Sequence, residues 1–146
     1  MKRSIIVFSA ILLVITATAF VGAKPGGNPA EATFQKEFGG ATDVKWNQGK
    51  DLISATFILS DSRIIAYFTT EGEFLGTERN VLFNQLPLSV VKEINNRYGN
   101  APIFDIVEHT SGTETYYGMV VDTPTKRLKL KISGEGEVTV QHKEKK

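Results

Sequence analysis

Two histidines, His109 and His142, and no cysteine set the chemistry that this 146-residue chain can offer. His109 stands in Glu108-His109-Thr110, and an imidazole beside a carboxylate can serve a proton relay or supply one metal ligand. A metal centre needs three or four donors. With one well-placed imidazole and no thiolate, the rest would have to be carboxylates, and no spacing in the chain suggests them. His109 is therefore expected to be a surface residue near a turn, and His142 to belong to a terminal tail. Serines are present, but no Gly-x-Ser-x-Gly elbow presents one as a nucleophile. Glu71 and Glu73, like Glu135 and Glu137, flank turn glycines and read as solvated turn residues. The glycines Gly39-Gly40 and Gly134, Gly136 precede no phosphate-binding helix. No cofactor is expected.

The elements that would position any site follow from periodicity. Asn28-Pro29-Ala30-Glu31 reads as a helix start, with Asn as cap and Pro at the first helical position. Ala30, Phe34 and Phe38 make one stripe at spacing four, and Gly39-Gly40 ends it. Val44 and Trp46 alternate with polar neighbours, which places both in a core. The segments 52–59 and 63–70 are rich in β-branched and aromatic residues, with Ser60-Asp61-Ser62 as a hairpin turn. After the turn Glu71-Gly72-Glu73 comes a second helix, Pro87 to Tyr98, whose stripe is Val90, Ile94 and Tyr98.

The second half echoes the first. The stripe of the second helix is that of the first moved by sixty, Val44 and Trp46 correspond to Phe104 and Ile106, and Glu135-Gly136-Glu137 repeats Glu71-Gly72-Glu73 at sixty-four. A tandem α-β-β-β repeat is expected, with units of about 30–75 and 87–140. In 126–133, Leu128, Leu130 and Ile132 face one way, and Arg127, Lys129 and Lys131 the other. Carried to the first half, Ile64, Ala66 and Phe68 point inward. Ala55, Phe57 and Leu59 pair as inward residues with Tyr117, Met119 and Val121. Ile58, Ile65, Tyr67, Tyr116 and Val120 are then left on the outer sheet face, rimmed by Arg127, Lys129 and Lys131. Tyrosine and arginine are residue types that anchor protein interfaces. The competing reading is that these side chains cover one another across neighbouring strands and stabilise the sheet.

The order of these motifs carries a resemblance. Phe38 and Asp43-Val44-Lys45-Trp46 precede Ala55-Thr56-Phe57; the turn Glu71-Gly72-Glu73, the Leu86-Pro87 helix start, Tyr98, Tyr116-Tyr117 and a last glycine turn follow. Together they resemble the PepSY-like, β-lactamase-inhibitor-protein-like (BLIP-like) domains of exported Bacteroidetes proteins, from about Ala30 to Val140. The resemblance implies an α+β fold: two helix-plus-sheet units forming one curved antiparallel sheet, with both helices on one face and the other face open to a partner. The inhibitor protein itself is built with disulfides, and this chain has no cysteine. No loop matches its inhibitory loop residue by residue, so the resemblance implies fold and location more than β-lactamase inhibition.

The N-terminus points outward from the cytoplasm. Lys2 and Arg3 precede an apolar run from Ile5 to Ile15, and Val21-Gly22-Ala23 places compact residues where a signal peptidase reads them. Cleavage before Lys24 is the natural reading of residues 1–23; Ala17-Thr18-Ala19 is a second site, and an uncleaved anchor is the rival reading. Residues 24–29 would then be a linker and 141–146 a basic tail. Two of the 17 Lys and Arg lie in the signal, leaving 15 against 16 acids. So neutral a chain argues against nucleic acid and against a stable membrane association after cleavage. Without cysteine there is no lipid-attachment site, which makes the periplasm or the exterior the expected location.

The sequence thus leads to an exported, non-catalytic binding module, inhibitor-like in kind, that captures an exported protein or peptide on the open sheet face. The alternative is a small-ligand-binding protein or hydrolase using carboxylates and His109. A structural component of envelope assembly is a third reading.

Overall fold

A computed structural model describes residues 27–146; the expected signal segment 1–23 lies outside them, as does the expected linker up to residue 26. The order is α1 (Glu31–Glu37), β1 (Thr42–Gln48), β2 (Ile53–Leu59), β3 (Ser62–Phe68), β4 (Phe74–Asn80), a 3-10 turn (Phe83–Gln85), α2 (Leu88–Tyr98), β5 (Ile103–Ser111), β6 (Glu114–Asp122), β7 (Lys126–Ser133) and β8 (Val138–Lys145). All eight strands form one antiparallel sheet in sequential order. The α+β expectation holds. Each helix is followed by four strands rather than three, because β4 and β8 escaped the sequence reading. Residues 141–145, expected in a solvated tail, are the second half of β8, paired with β7 as far as Lys126 and Lys145.

Helix α1 begins two residues later than its motif suggests. The Asn28 Oδ1 accepts from the Ala30 N–H at 3.0 Å, so the side chain closes a turn that leads into the helix, and Ala30 holds the N-cap position. Gly40, at φ 89°, provides the exit that a side chain resists. Helix α2 ends where Gly99, at φ 55°, donates its N–H to the Asn95 carbonyl. Ser60 and Asp61, with φ of 49° and 60°, make the two-residue turn that suits a right-twisted hairpin between β2 and β3.

Strand register assigns the faces. Ile64, Arg79, Glu108, Tyr117 and Ile132 are successive cross-strand partners from β3 to β7, so they share one face. That face carries both helices in two separate clusters. Beneath α1, Ala30 and Phe34 pack on Ile53, Ala55, Phe57, Ala66 and Phe68, with Val44 and Trp46 packed against them. Phe34 meets Phe57 edge-on at 4.9 Å and Trp46 at 5.2 Å. Beneath α2, Val90 and Ile94 pack on Tyr117, Met119, Val121, Leu130 and Ile132. Burying one such side chain contributes about 1.5–3 kcal/mol.

The two halves share details beyond element order. Thr69 and Ser133 open turns with matching bonds: Gly72 N–H to Thr69 O and Gly136 N–H to Ser133 O, both at 3.0 Å. Thr33 Oγ1 donates to Gly72 O at 2.8 Å, and Ser89 Oγ donates to Gly134 O at 2.7 Å, so each helix is tied to the turn that follows its third strand. Asp43 and Asp105 both take φ 53° at bulges. Sixty-two residues separate them, which sets Val44 against Ile106, each in a helix-bearing cluster, where a shift of sixty set it against Phe104. The Phe104 ring is 37% exposed, with the Arg127 guanidinium over it at 5.7 Å.

Candidate functional face of the sheet

The opposite face follows from the same register. Ile65 pairs with Glu78, Glu78 with His109, and His109 with Tyr116, from β3 to β6. No helix lies over these residues; both helices pack on the other side. Their side chains form one connected run. The Tyr67 hydroxyl donates to Glu78 Oε2 at 2.9 Å. The other carboxylate oxygen, Oε1, faces His109 Nδ1 at 3.0 Å. The imidazole stacks on the Tyr116 ring, centroids 4.6 Å apart, and Lys131 Nζ stands 4.1 Å from the centroid of that ring. Burial, the bond to Glu78 and its negative charge together push the Tyr67 phenol up to about 12, in that order of weight.

Shallow hollows lie along this face. One of about 230 Å³ is bounded by Lys45, Ile58 and Arg63. A second, about 270 Å³, shares Arg63 and is lined by Ile65, Glu78 and Val107. A third, about 250 Å³, shares Val107 and is lined by Asp105, His109, Gly118, Val120, Lys129 and Gln141. The three adjoin through Arg63 and Val107 and so run across most of the sheet.

The residues singled out from sequence all lie on this side, but not equally open. Ile58 is 38% exposed, and Lys129 and Lys131 are exposed. Ile65, Tyr67 and Tyr116 are half-buried. Val120 is buried at 8%, because Phe104 and Lys129 flank it as cross-strand partners. Tyr67 and Tyr116 do not touch; Glu78 and His109 stand between them. Arg127 is drawn aside toward Asp122 at 3.6 Å.

Sequence reasoning missed Glu78, and it named His109 for the alternative reading and not for this face. Expected at the surface near a turn, His109 is a half-buried member of β5 in the middle of the run. Glu78 went unread because β4 did. Among the described residues, no group of three or more His, Asp and Glu is placed to hold a metal ion.

The helix-bearing face has its own polar pair. The Arg79 guanidinium forks onto Glu108, with Nε to Oε1 at 2.6 Å and Nη2 to Oε2 at 3.1 Å, and the Tyr117 hydroxyl donates to Oε2 at 3.3 Å. Arg79 and Glu108 follow Glu78 and precede His109, so the β4–β5 seam carries an ion-pairing contact on each face.

Comparison with solved structures places the fold. A BLIP-like protein from Bacteroides fragilis superposes with a TM-score of 0.69 at 23% identity, over 85% of this chain and 89% of that one. A DUF2874 family protein from Bacteroides ovatus gives 0.68 at 19%, over 85% and 89%. A candidate periplasmic protein from Bacteroides eggerthii gives 0.68 at 14%, over 82% and 88%. The fold is therefore BLIP-like. No protein-family model matches the chain, and no curated protein does. Among the described residues, no helix is long and apolar enough to cross a membrane.

Proposed function

We propose that this chain is an exported, non-catalytic module that captures a protein or peptide on the helix-free face of its BLIP-like sheet. One observation carries the reading: the run Tyr67–Glu78–His109–Tyr116–Lys131 is fixed side chain to side chain amid three adjoining hollows. A rigid aromatic surface loses little conformational entropy on binding, which favours tight association. Export rests on Lys2, Arg3 and the apolar run after them, and agrees with the candidate periplasmic neighbour. Kinship with PepSY-like domains rests on the motif order alone. A tandem duplication accounts for the paired bulges and the two helix-to-turn bonds.

The test is replacement of Tyr67 and Tyr116 together by Ala. Partner capture is expected to be lost while the double variant still unfolds in one cooperative urea transition. Retained capture by a folded double variant overturns the reading.

A second reading draws on the Glu78–His109 pair, since a carboxylate that orients an imidazole is an arrangement hydrolases use. No serine or threonine hydroxyl is bonded to that imidazole among the described residues, which favours the binding module.

A further inference from the structure

We infer that the hollow over Gly118 is the anchor point of the captured partner and receives a tyrosine side chain; this rests on the binding-module reading above. At about 250 Å³ the hollow falls below the range of about 300–1,000 Å³ typical of sites for drug-sized ligands, and matches one large side chain.

Its shape comes from a missing side chain. A Cβ on Gly118 would lie 3.4 Å from His109 Nε2, so only the bare glycine leaves room beside that nitrogen. The other ring nitrogen, Nδ1, faces the Glu78 carboxylate at 3.0 Å and so carries its proton there. In the neutral ring Nε2 is then an acceptor with no partner among the described residues. Lys129 and Asp105 line the same hollow and make no ion pair there. Val107 and Val120 supply apolar wall.

Each charged occupant meets a like charge, and an apolar one pairs with nothing. A carboxylate would meet Asp105 and the Nε2 lone pair. An ammonium or guanidinium would meet Lys129. An aliphatic side chain would cover three polar groups and pair with none, which costs free energy for each. A neutral hydroxyl meets neither like charge: it donates to Nε2 and accepts from Lys129, while exposed Asp105 stays open to solvent. Serine or threonine has that hydroxyl but too little body to cover Val107 and Val120. The phenol of tyrosine has both, an apolar ring with a polar tip.

The experiment is amide and imidazole NMR on the mature chain, titrated with N-acetyl-tyrosinamide and N-acetyl-phenylalaninamide. The tyrosine probe is expected to shift Gly118, Val120 and the His109 ring nitrogens, and to bind about tenfold more tightly than its phenylalanine counterpart. Gly118→Ala fills the floor and should weaken the tyrosine probe. Lys129→Met, at an exposed position, should abolish the preference for tyrosine. Equal binding of the two probes, or shifts that map elsewhere, overturns the inference. Probe failure alongside persistent partner capture sinks the anchor but leaves the module standing. Probe binding without partner capture sinks the module and leaves the hollow.

Discussion

The imidazole of His109 lies flat against the Tyr116 ring, 4.6 Å between centroids and 11° from parallel. Glu78 holds its Nδ1 edge from the next strand, and Lys131 stands beside the tyrosine from the strand beyond. Four strands thereby lock one another's side chains on a face that no helix covers. Neither buried cluster includes any of these four residues, so the face and the cores answer to different substitutions.

Tyr67 gives that separation a spectroscopic handle. Subtracting the ultraviolet titration of Tyr67→Phe from that of the parent should leave one phenol centred about 12 rather than at the ordinary 10.0. Glu78→Gln should bring it part of the way back, because burial, the largest cause, remains. A phenol whose folded pKa is raised adds stability that is complete below 10.0 and is lost as pH rises through about 12. A difference titration centred at 10.0 would contradict the Tyr67–Glu78 bond.

Gly72 and Gly40 have nearly the same backbone angle, φ 91° and 89°, but different surroundings. A Cβ on Gly72 would overlap the Pro29 carbonyl, whereas Gly40 has nothing within 4 Å. Gly40→Ala should cost about 1–2 kcal/mol for the left-handed backbone alone. Gly72→Ala should cost clearly more, read from urea midpoints, because α1 must shift as well. Equal costs would mean that the helix is not seated on this turn.

At the seam, Arg79→Ala strands the Glu108 carboxylate, which is only 16% exposed. The expected loss is about 1–3 kcal/mol by urea unfolding. Arg63→Ala, exposed and in no ion pair among the described residues, should stay within about 0.5 kcal/mol.

Much of the fold was legible because its cores obey simple periods. Spacing four located Phe34, Val90 and Ile94, and strict alternation located Leu128, Leu130 and Ile132, all buried. Strand β4 broke the pattern: Gly76 sits at a bulge, and Thr77, Glu78 and Arg79 offer no apolar alternation. Strand β8 hid for a similar reason. As an edge strand it is charged toward its end, a composition that discourages pairing with other chains and reads as a tail. The candidate site was half legible. Alternation put Tyr67 and Tyr116 on the face that the helices leave uncovered, but Glu78 and His109 join them through register across β4, which local pattern does not carry.

The proposed export makes a separate prediction. The mature protein recovered from outside the cytoplasm should begin at Lys24, by N-terminal sequencing or intact mass. Recovery with residues 1–23 attached would favour the anchor.

The claim that the helix-free face is the binding surface is tested most directly by site-specific photo-cross-linking. A benzophenone side chain at Ile65, on that face, should attach to the partner, and the same group at exposed Lys92 on α2 should not. Attachment from Lys92 with none from Ile65 would put the partner on the helices and contradict the account.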